Sequence, residues 1–208
     1  SALYGLEQAA TAIRDEGRVA VMEGYTDVIR AHQAGVGWAV ATLGTALTAD
    51  HARLLRRSTD QVVLVYDADA AGKKAADRGL DVFLQANFLV RVLTLPEGED
   101  PCDYFAHADS VGFAALLAGA EELVDYRISQ ARLQGRFATV KEQADVLKEI
   151  LATVSGVPDP AQRELMVKRV SERTGVSEGA LLARLEGAAQ PAPRRQVPAV
   201  PSTPRREA

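Results

Sequence analysis

Short apolar runs alternate with helix-length stretches over the first half of the chain. The runs are four to eight residues long and rich in valine, as expected for strands that are buried on both faces. Capping residues bound the stretches between them: Thr48 stands before one predicted helix and Gly35 after another. Alternation of this kind predicts a parallel sheet with right-handed crossovers and helices on both faces. We predict strands at 18–22, 38–41, 61–66 and 88–95 and helices at 6–16, 26–34, 49–57 and 70–85.

The pattern becomes helical throughout from about Ser110. One apolar stripe recurs at helical spacing from Val140 to Val154. After Gly187 the chain is rich in proline with scattered arginines, which is typical of a disordered tail or linker. We therefore predict an α/β part of about four parallel strands, followed by a small all-helical bundle and no further strand. The predicted helices are 111–119, 121–134, 139–154, 160–174 and 178–186, and the predicted domains are 1–109, 110–187 and 188–208.

The overall composition narrows the class of protein. The chain has 208 residues, of which 47% are hydrophobic and 25% charged, which is ordinary for a globular protein. Its apolar runs are too short to cross a membrane, and it has no signal-peptide pattern. The single cysteine, Cys102, excludes an internal disulfide and a cysteine-rich zinc site and favours a reducing, cytoplasmic location. The net charge of −4 predicts that any contact with nucleic acid depends on metal and a local basic patch, or on elements outside this chain.

Acidic residues follow three of the four predicted strands. Glu23 follows the first strand, Asp67 and Asp69 follow the third, and Asp100 and Asp103 follow the last. The carboxyl ends of parallel strands meet at one edge of a sheet, so these carboxylates are expected to converge. Because clustered carboxylates repel each other, a divalent cation is expected between them. Residues two apart in an extended segment point to the same side, so Asp67 and Asp69 can address one metal site.

Most of these acids also have a purely structural interpretation. Glu23 fits a plain turn from strand to helix, and Asp69 fits the N-cap of the next helix. Asp100 and Asp103 fit an acidic loop that opens a helix. Asp67 is harder to explain in this way, because it ends a buried strand.

Groups suited to phosphate lie near the same edge. Lys73 and Lys74 occupy the first turn of a predicted helix, where the helix dipole disfavours cations. A bound phosphate, or the charges of the nearby aspartates, would account for them there. Thr42 and Gly44 follow the second strand and supply small polar groups. A solvated helix face and ordinary turn chemistry explain the same four residues without a ligand.

Five short motifs surround these residues in a fixed order along the first half of the chain. They are Glu-Gly-Tyr-Thr-Asp at 23–27, Ala-Thr-Leu-Gly-Thr at 41–45, Thr-Ala-Asp-His at 48–51, Tyr-Asp-Ala-Asp-Ala-Ala-Gly at 66–72 and Leu-Pro-Glu-Gly-Glu-Asp-Pro at 95–101. Together they resemble the Toprim domain that bacterial primases and topoisomerases share. The order and gaps are most similar to those of DnaG-type DNA primases, over about residues 3 to 105.

The resemblance implies a catalytic role and a chemistry for the acids. Glu23, Asp67 and Asp69 correspond to the family's metal ligands, and the implied cofactor is Mg²⁺ or Mn²⁺, with two ions expected. The implied reaction joins ribonucleoside triphosphates into a short RNA primer on single-stranded DNA. Asp100 matches the first acid of the family's Asp-Pro-Asp motif, but the second acid falls on Cys102. Either Asp103 compensates for this change, or the position is dispensable for the chemistry.

Other family parts are not recognisable in this sequence. They are the zinc ribbon, the basic subdomain that guides template DNA, and the C-terminal domain that binds the replicative helicase. We therefore expect a part of a larger enzyme, weakly active or inactive alone, that meets the helicase through a missing domain. Two other functions stay open: a Toprim nuclease or topoisomerase, and a non-catalytic module that binds metal or nucleotide.

Overall fold

The structure is a computed structural model, and it describes residues 3–42, 46–66 and 79–189, the last four of these by their backbone alone. Helices and strands alternate up to residue 94, and helices dominate afterwards. In chain order the elements are α1 (Leu6–Glu16), β1 (Val19–Met22), α2 (Tyr25–Gln33), β2 (Ala39–Ala41), α3 (Ala49–Leu55), β3 (Gln61–Tyr66), α4 (79–85), β4 (Leu89–Thr94), α5 (Pro101–His107), α6 (Ser110–Leu117), β5 (Glu121–Glu122), α7 (Leu123–Leu133), α8 (Val140–Ser155), α9 (Pro160–Thr174) and α10 (Glu178–Ala189).

The strands form one sheet in the order β2-β1-β3-β4-β5. The first four strands in this order are parallel, with Val21 opposite Val40 of β2 on one side and opposite Leu64 of β3 on the other. All four residues of β1 are buried, and so are all residues of β3 after Gln61. Strands that are buried at every position need cover on both faces, which the helices provide. The predicted parallel α/β architecture is confirmed.

The fifth strand contradicts the prediction that no strand follows Ser110. β5 has two residues and pairs antiparallel with β4, with Glu122 opposite Arg91 and Glu121 opposite Val92. The Arg91 guanidinium also donates a hydrogen bond of 2.6 Å to the carbonyl oxygen of Ala120. Two adjacent glutamates give no alternating pattern, so tertiary contacts rather than local preference create this strand.

One helix was not predicted, and another extends beyond its predicted end. α5 begins at Pro101 and was not predicted as a separate helix; Asp100 is its N-cap, and its carboxylate accepts a hydrogen bond of 2.7 Å from the Asp103 backbone. α10 continues to Ala189, so the tail predicted from 188 overlaps the end of this helix. Residues 190–208 and the predicted helical turns at 70–78 lie outside the described residues.

Buried side chains form two clusters that divide at α7. The first cluster contains the sheet together with Phe113 and Leu117 of α6. The second cluster lies within the helical part, from Val124 to Leu181. α6 therefore packs with the sheet, although it follows the predicted boundary at 109; the division into domains stays a prediction. In the described parts of the chain, no helix is long and apolar enough to cross a bilayer.

Core packing in the helical part predicts a contrast between two residues of α7. Ile128 is fully buried in the second cluster, whereas Leu133 at the end of the helix is 79% exposed. We expect Ile128→Ala to lower the free energy of unfolding by about 2–5 kcal/mol, because it leaves a cavity. Leu133→Ala, the matched control, should change it by less than about 0.5 kcal/mol. Urea unfolding followed by circular dichroism measures both, and equal effects would contradict the assigned packing.

Candidate functional site

The strand order brings the carboxyl ends of β1 and β3 side by side. The chain leaves β1 to form β2 on one side and later returns to form β3 on the other side of β1. The two connections diverge above the sheet, and open α/β sheets bind ligands in the crevice at such a switch point. Glu23 follows β1 here, and Asp67 is bonded directly to Tyr66, the last residue of β3.

Glu23 occupies an exposed turn between β1 and α2. Gly24 is the N-cap of α2, and its N–H donates a hydrogen bond of 2.9 Å to the Asp27 carboxylate. A Cβ atom at Gly24 would lie 3.1 Å from that same carboxylate oxygen. The turn that carries Glu23 is therefore tight, and the glycine permits the close approach of Asp27.

The pKa of Asp27 is changed by its surroundings. Its side chain is buried, and burial together with the negative charge of Asp100 raises its pKa above the usual value of 3.8. The hydrogen bond from Gly24 acts in the opposite direction. Asp100 is half-buried at the start of α5, and α5 packs against α2. Carboxylates from the segments after β1 and after β4 thus act on each other, because α2 and α5 pack together.

Two further residues line this edge of the sheet. Thr42 is buried at the end of β2, and its N–H donates to the Met22 carbonyl oxygen at 3.4 Å. Tyr66 is buried at the end of β3; burial, and then the nearby charge of Glu23, raise the pKa of its phenol. This effect of Glu23 on Tyr66 indicates that the residues after β1 and at the end of β3 are neighbours.

The structure thus brings some predicted site residues together and does not describe others. Glu23, Thr42 and Asp100 lie at the carboxyl edge of the sheet, and Asp103 is exposed in the first turn of α5. Within the described ranges no three His, Cys, Asp or Glu side chains form a group that could hold a metal. The remaining predicted residues, Asp67, Asp69, Gly44, Lys73 and Lys74, lie outside the described residues.

Sequence reasoning missed two residues at this edge. Asp27 was treated as part of a motif, although its spacing three residues after Gly24 is the signal of a side chain that reaches back to a helix N-cap. Tyr25 is 56% exposed and packs edge-on against Tyr4, with ring centroids 6.1 Å apart. An exposed aromatic residue beside a candidate metal ligand has no clear sequence signal.

The described acids near this edge are of the residue type that binds a hard divalent cation, but they do not form a metal-binding group by themselves. The side chains named above offer oxygen donors, which are the carboxylates of Glu23, Asp27 and Asp100 and the hydroxyl of Thr42. The pKa of Asp27 is raised first by its burial and then by the negative charge of Asp100. Mg²⁺ and Mn²⁺ prefer such oxygen ligands.

Family models match both parts of the chain. A Toprim-like model matches residues 20–105, which include β1 from its second residue onward and all of β2, β3 and β4. A model described as the DnaB-helicase binding domain of primase matches residues 124–179. The second match falls on the helical part, within the chain. It does not support the prediction that helicase binding is confined to a missing domain.

Known relatives and solved structures agree with these matches. A DNA primase of Clostridium acetobutylicum is 36% identical over 86% of this chain, and one of Deinococcus radiodurans is 40% identical over 86%. The chain spans only 30% and 32% of the lengths of these two relatives.

Among solved structures, a primase domain from Pseudomonas aeruginosa is 36% identical and superposes with a TM-score of 0.76. The match covers 88% of this chain and 59% of that one. A DnaG primase catalytic domain bound to single-stranded DNA is 33% identical, with a TM-score of 0.71, over 82% of this chain and 56% of that one.

A parallel sheet with a switch point, acids at its carboxyl edge and the Toprim-like match together define a Toprim domain. The helical part that follows distinguishes among the proteins that contain one. The chain belongs to the bacterial DnaG-type DNA primases, over their Toprim domain and the helical part that follows it.

The buried carboxylate of Asp27 predicts a pH dependence of stability. Because its pKa is raised in the folded state, the folded chain binds more protons than the unfolded chain just above pH 3.8. Asp27 therefore makes the free energy of unfolding fall as the pH rises from 3.8 through the raised pKa. Asp27→Asn keeps an oxygen acceptor for the Gly24 N–H and removes the charge. We expect the variant to lose this fall, in urea unfolding between pH 3 and 7 with a chelator present. Stability curves that run parallel for both proteins would contradict the assignment.

Gly79 of α4 packs closely against Leu47 and Tyr66, so we predict that a side chain at this position destabilises the fold. A Cβ atom there would lie 2.9 Å from Leu47 Cδ1 and 3.1 Å from the Tyr66 hydroxyl oxygen. We expect Gly79→Ala to lower the free energy of unfolding by about 1–3 kcal/mol through overpacking. Gly179→Ala in α10, where no atom lies within 4 Å, is the control and should be neutral or stabilising by up to about 1 kcal/mol. Thermal unfolding compares the two, and equal shifts would refute the close contact.

Proposed function

We propose that this chain is the metal-binding catalytic part of a DNA primase, which joins ribonucleotides into a short RNA primer on single-stranded DNA. The observation that carries the proposal is that acids follow the carboxyl ends of three strands of the parallel sheet. Glu23, Asp27 and Asp100 lie at that edge, and Asp67 follows the last residue of β3. The similarity to DNA primases supports a nucleotidyl-transfer reaction for these acids.

Toprim primase domains are generally metal-dependent. In this chain Glu23, Asp67 and Asp69 would hold Mg²⁺ or Mn²⁺, with Asp100 or Asp103 as a further ligand. A bound cation would neutralise charge on the triphosphate and favour ionisation of the attacking 3′-hydroxyl, and two ions would suit an in-line displacement.

The chain's own residues would orient the nucleotide. Lys73 and Lys74 would contact the phosphates, and Thr42 and Gly44 would allow the nucleotide to approach the ends of β1 and β2 closely. The polypeptide would act through position and charge, because the reaction needs no side chain as general base.

Two macromolecular partners follow from the similarities. A solved relative is a catalytic domain bound to single-stranded DNA, which supports such a template here. The match of residues 124–179 to a helicase-binding model supports contact with a replicative helicase through α7 to α9, in the helical part. The cytoplasmic location remains a prediction from the sequence.

A second candidate function applies to the chain on its own. Because the chain spans about a third of its relatives' length, it would act alone as a module that binds metal and nucleotide without making primer. Template-dependent RNA synthesis by the isolated chain would overturn this second proposal and leave the first intact.

Metal binding provides the direct test of the site. We expect Asp67→Asn combined with Asp69→Asn to weaken Mn²⁺ binding by at least about tenfold, since each change removes a charged oxygen ligand. The control is Asp159→Asn at the N-cap of α9, where asparagine caps as well as aspartate. Electron paramagnetic resonance of free Mn²⁺ measures the affinity. Equal affinity for Mn²⁺ in the wild type and in the double variant would contradict the proposal.

A further inference from the structure

A cavity of about 920 Å³ lies between the sheet and α9, at the amino ends of β3 and β4. Its walls include Gln61 and Leu89, the first residues of these two strands, and Arg18, which stands directly before β1. Residues of α9 and of the start of α7 supply the other walls. Pockets that bind small ligands usually measure about 300–1,000 Å³. The cavity therefore has the size of a ligand site, and it lies at the opposite end of the strands from the candidate metal site.

Two large apolar side chains remain exposed to solvent in this cavity. Leu89 of β4 is 54% exposed, and Leu165 of α9 is 67% exposed. Val90 of β4 and Met166 of α9 line the same cavity. A ligand with an apolar body would remove these side chains from water, which is favourable.

The cavity also has buried hydrogen-bond donors that lack an acceptor. Arg18 pairs with Glu16 through Nη2 at 3.0 Å, and its guanidinium lies 5.1 Å from the centre of the Trp38 ring. Its Nε is buried, and no group in the described part of the chain accepts a hydrogen bond from it. The same holds for Arg173 Nε, which lies 2.9 Å from Asp125 Oδ1 without the geometry of a hydrogen bond. A buried donor without an acceptor is costly, so these two atoms favour a ligand that supplies one.

Most of the acids that line the cavity are already bonded. Glu121 accepts a hydrogen bond of 2.6 Å from a serine hydroxyl. Asp125 and Glu172 both accept hydrogen bonds from Arg169. The fourth acid, Glu122, is exposed to solvent. The group still needed in the cavity is therefore an acceptor, and guanidinium groups bind carboxylates and phosphates most strongly.

We propose that this cavity binds one small organic anion that has an apolar body. The apolar body would contact Leu89 and Leu165, and a carboxylate or phosphate group would accept hydrogen bonds from Arg18. Because the walls come from the sheet and from α9, the ligand would contact both parts of the chain. The inference does not depend on the proposed function, since the residues that carry it lie away from the carboxyl edge.

Titration calorimetry on the 208-residue chain tests the chemistry of the ligand, with octanoate, octyl phosphate, octanol and inorganic phosphate as probes. A chelator prevents the anions from binding through metal at the carboxyl edge. We expect at least one of octanoate and octyl phosphate to bind at one site per chain, at least about tenfold more tightly than octanol or inorganic phosphate, which each supply half of the required chemistry. The tighter of the two anions identifies the head group as carboxylate or phosphate. Octanol or inorganic phosphate binding as tightly as both anions, or no binding of either anion, would overturn the inference.

Matched variants test the place of binding. Arg18→Gln should weaken the binding of the tighter anion by at least about tenfold and leave the binding of octanol unchanged. Leu165→Gln should weaken the binding of both. The controls are Arg14→Gln and Leu133→Gln, two exposed side chains outside the cavity, which should stay within about twofold of wild type. If each cavity variant has no more effect than its control, the ligand does not bind here.

The single tryptophan of the chain gives an independent readout. Trp38 lies against the Arg18 guanidinium, so an anion that binds this guanidinium changes the electric field at the indole ring. We expect the tighter anion to change the tryptophan fluorescence of the wild type, with the same affinity that calorimetry gives. An unchanged spectrum at saturating ligand would place the anion elsewhere and overturn the inference.

Discussion

The adjacency of β1 and β3 is the constraint on which the rest of this molecule depends. Both strands are parallel and buried, so their carboxyl ends meet at one edge and their polar residues leave the sheet together. Because the connections that leave the two strands diverge, the edge between them remains open to a ligand. The position of the candidate site therefore depends first on the strand order and then on the individual residues.

The surroundings of Asp27 disfavour the ionised form of its carboxylate in the folded chain. Asp27 is buried near Asp100, and both effects raise its pKa, so the ionised carboxylate is disfavoured in the folded chain. The Gly24 N–H offsets part of this cost by donating to the same carboxylate. A buried carboxylate whose ionised form is disfavoured is found more often at functional sites than elsewhere.

Much of the fold could be predicted from the sequence, because buried parallel strands leave a continuous apolar signal. Val62 to Tyr66 is such a run, and its strand was predicted with the observed bounds. β5 could not be predicted, since Glu121 and Glu122 form a strand only because β4 offers them a free edge. At the site, the sequence places acids after β1 and β4, and their role there stays a prediction. The burial of Asp27 could not be predicted, because it depends on how α2 and α5 pack.

Helix α7 joins the helical part to the sheet, because its residues are buried in both clusters. A separate helical unit joined only by a linker would need no residue inside the cluster around the sheet, yet Leu123 and Tyr126 are buried there. The same helix buries Ile128 in the other cluster, so the two units share structure rather than touch at a surface. Val157, between α8 and α9, also packs with the first cluster. A partner that binds the helical part would therefore act on a body that is continuous with the sheet, because α7 is buried in both clusters.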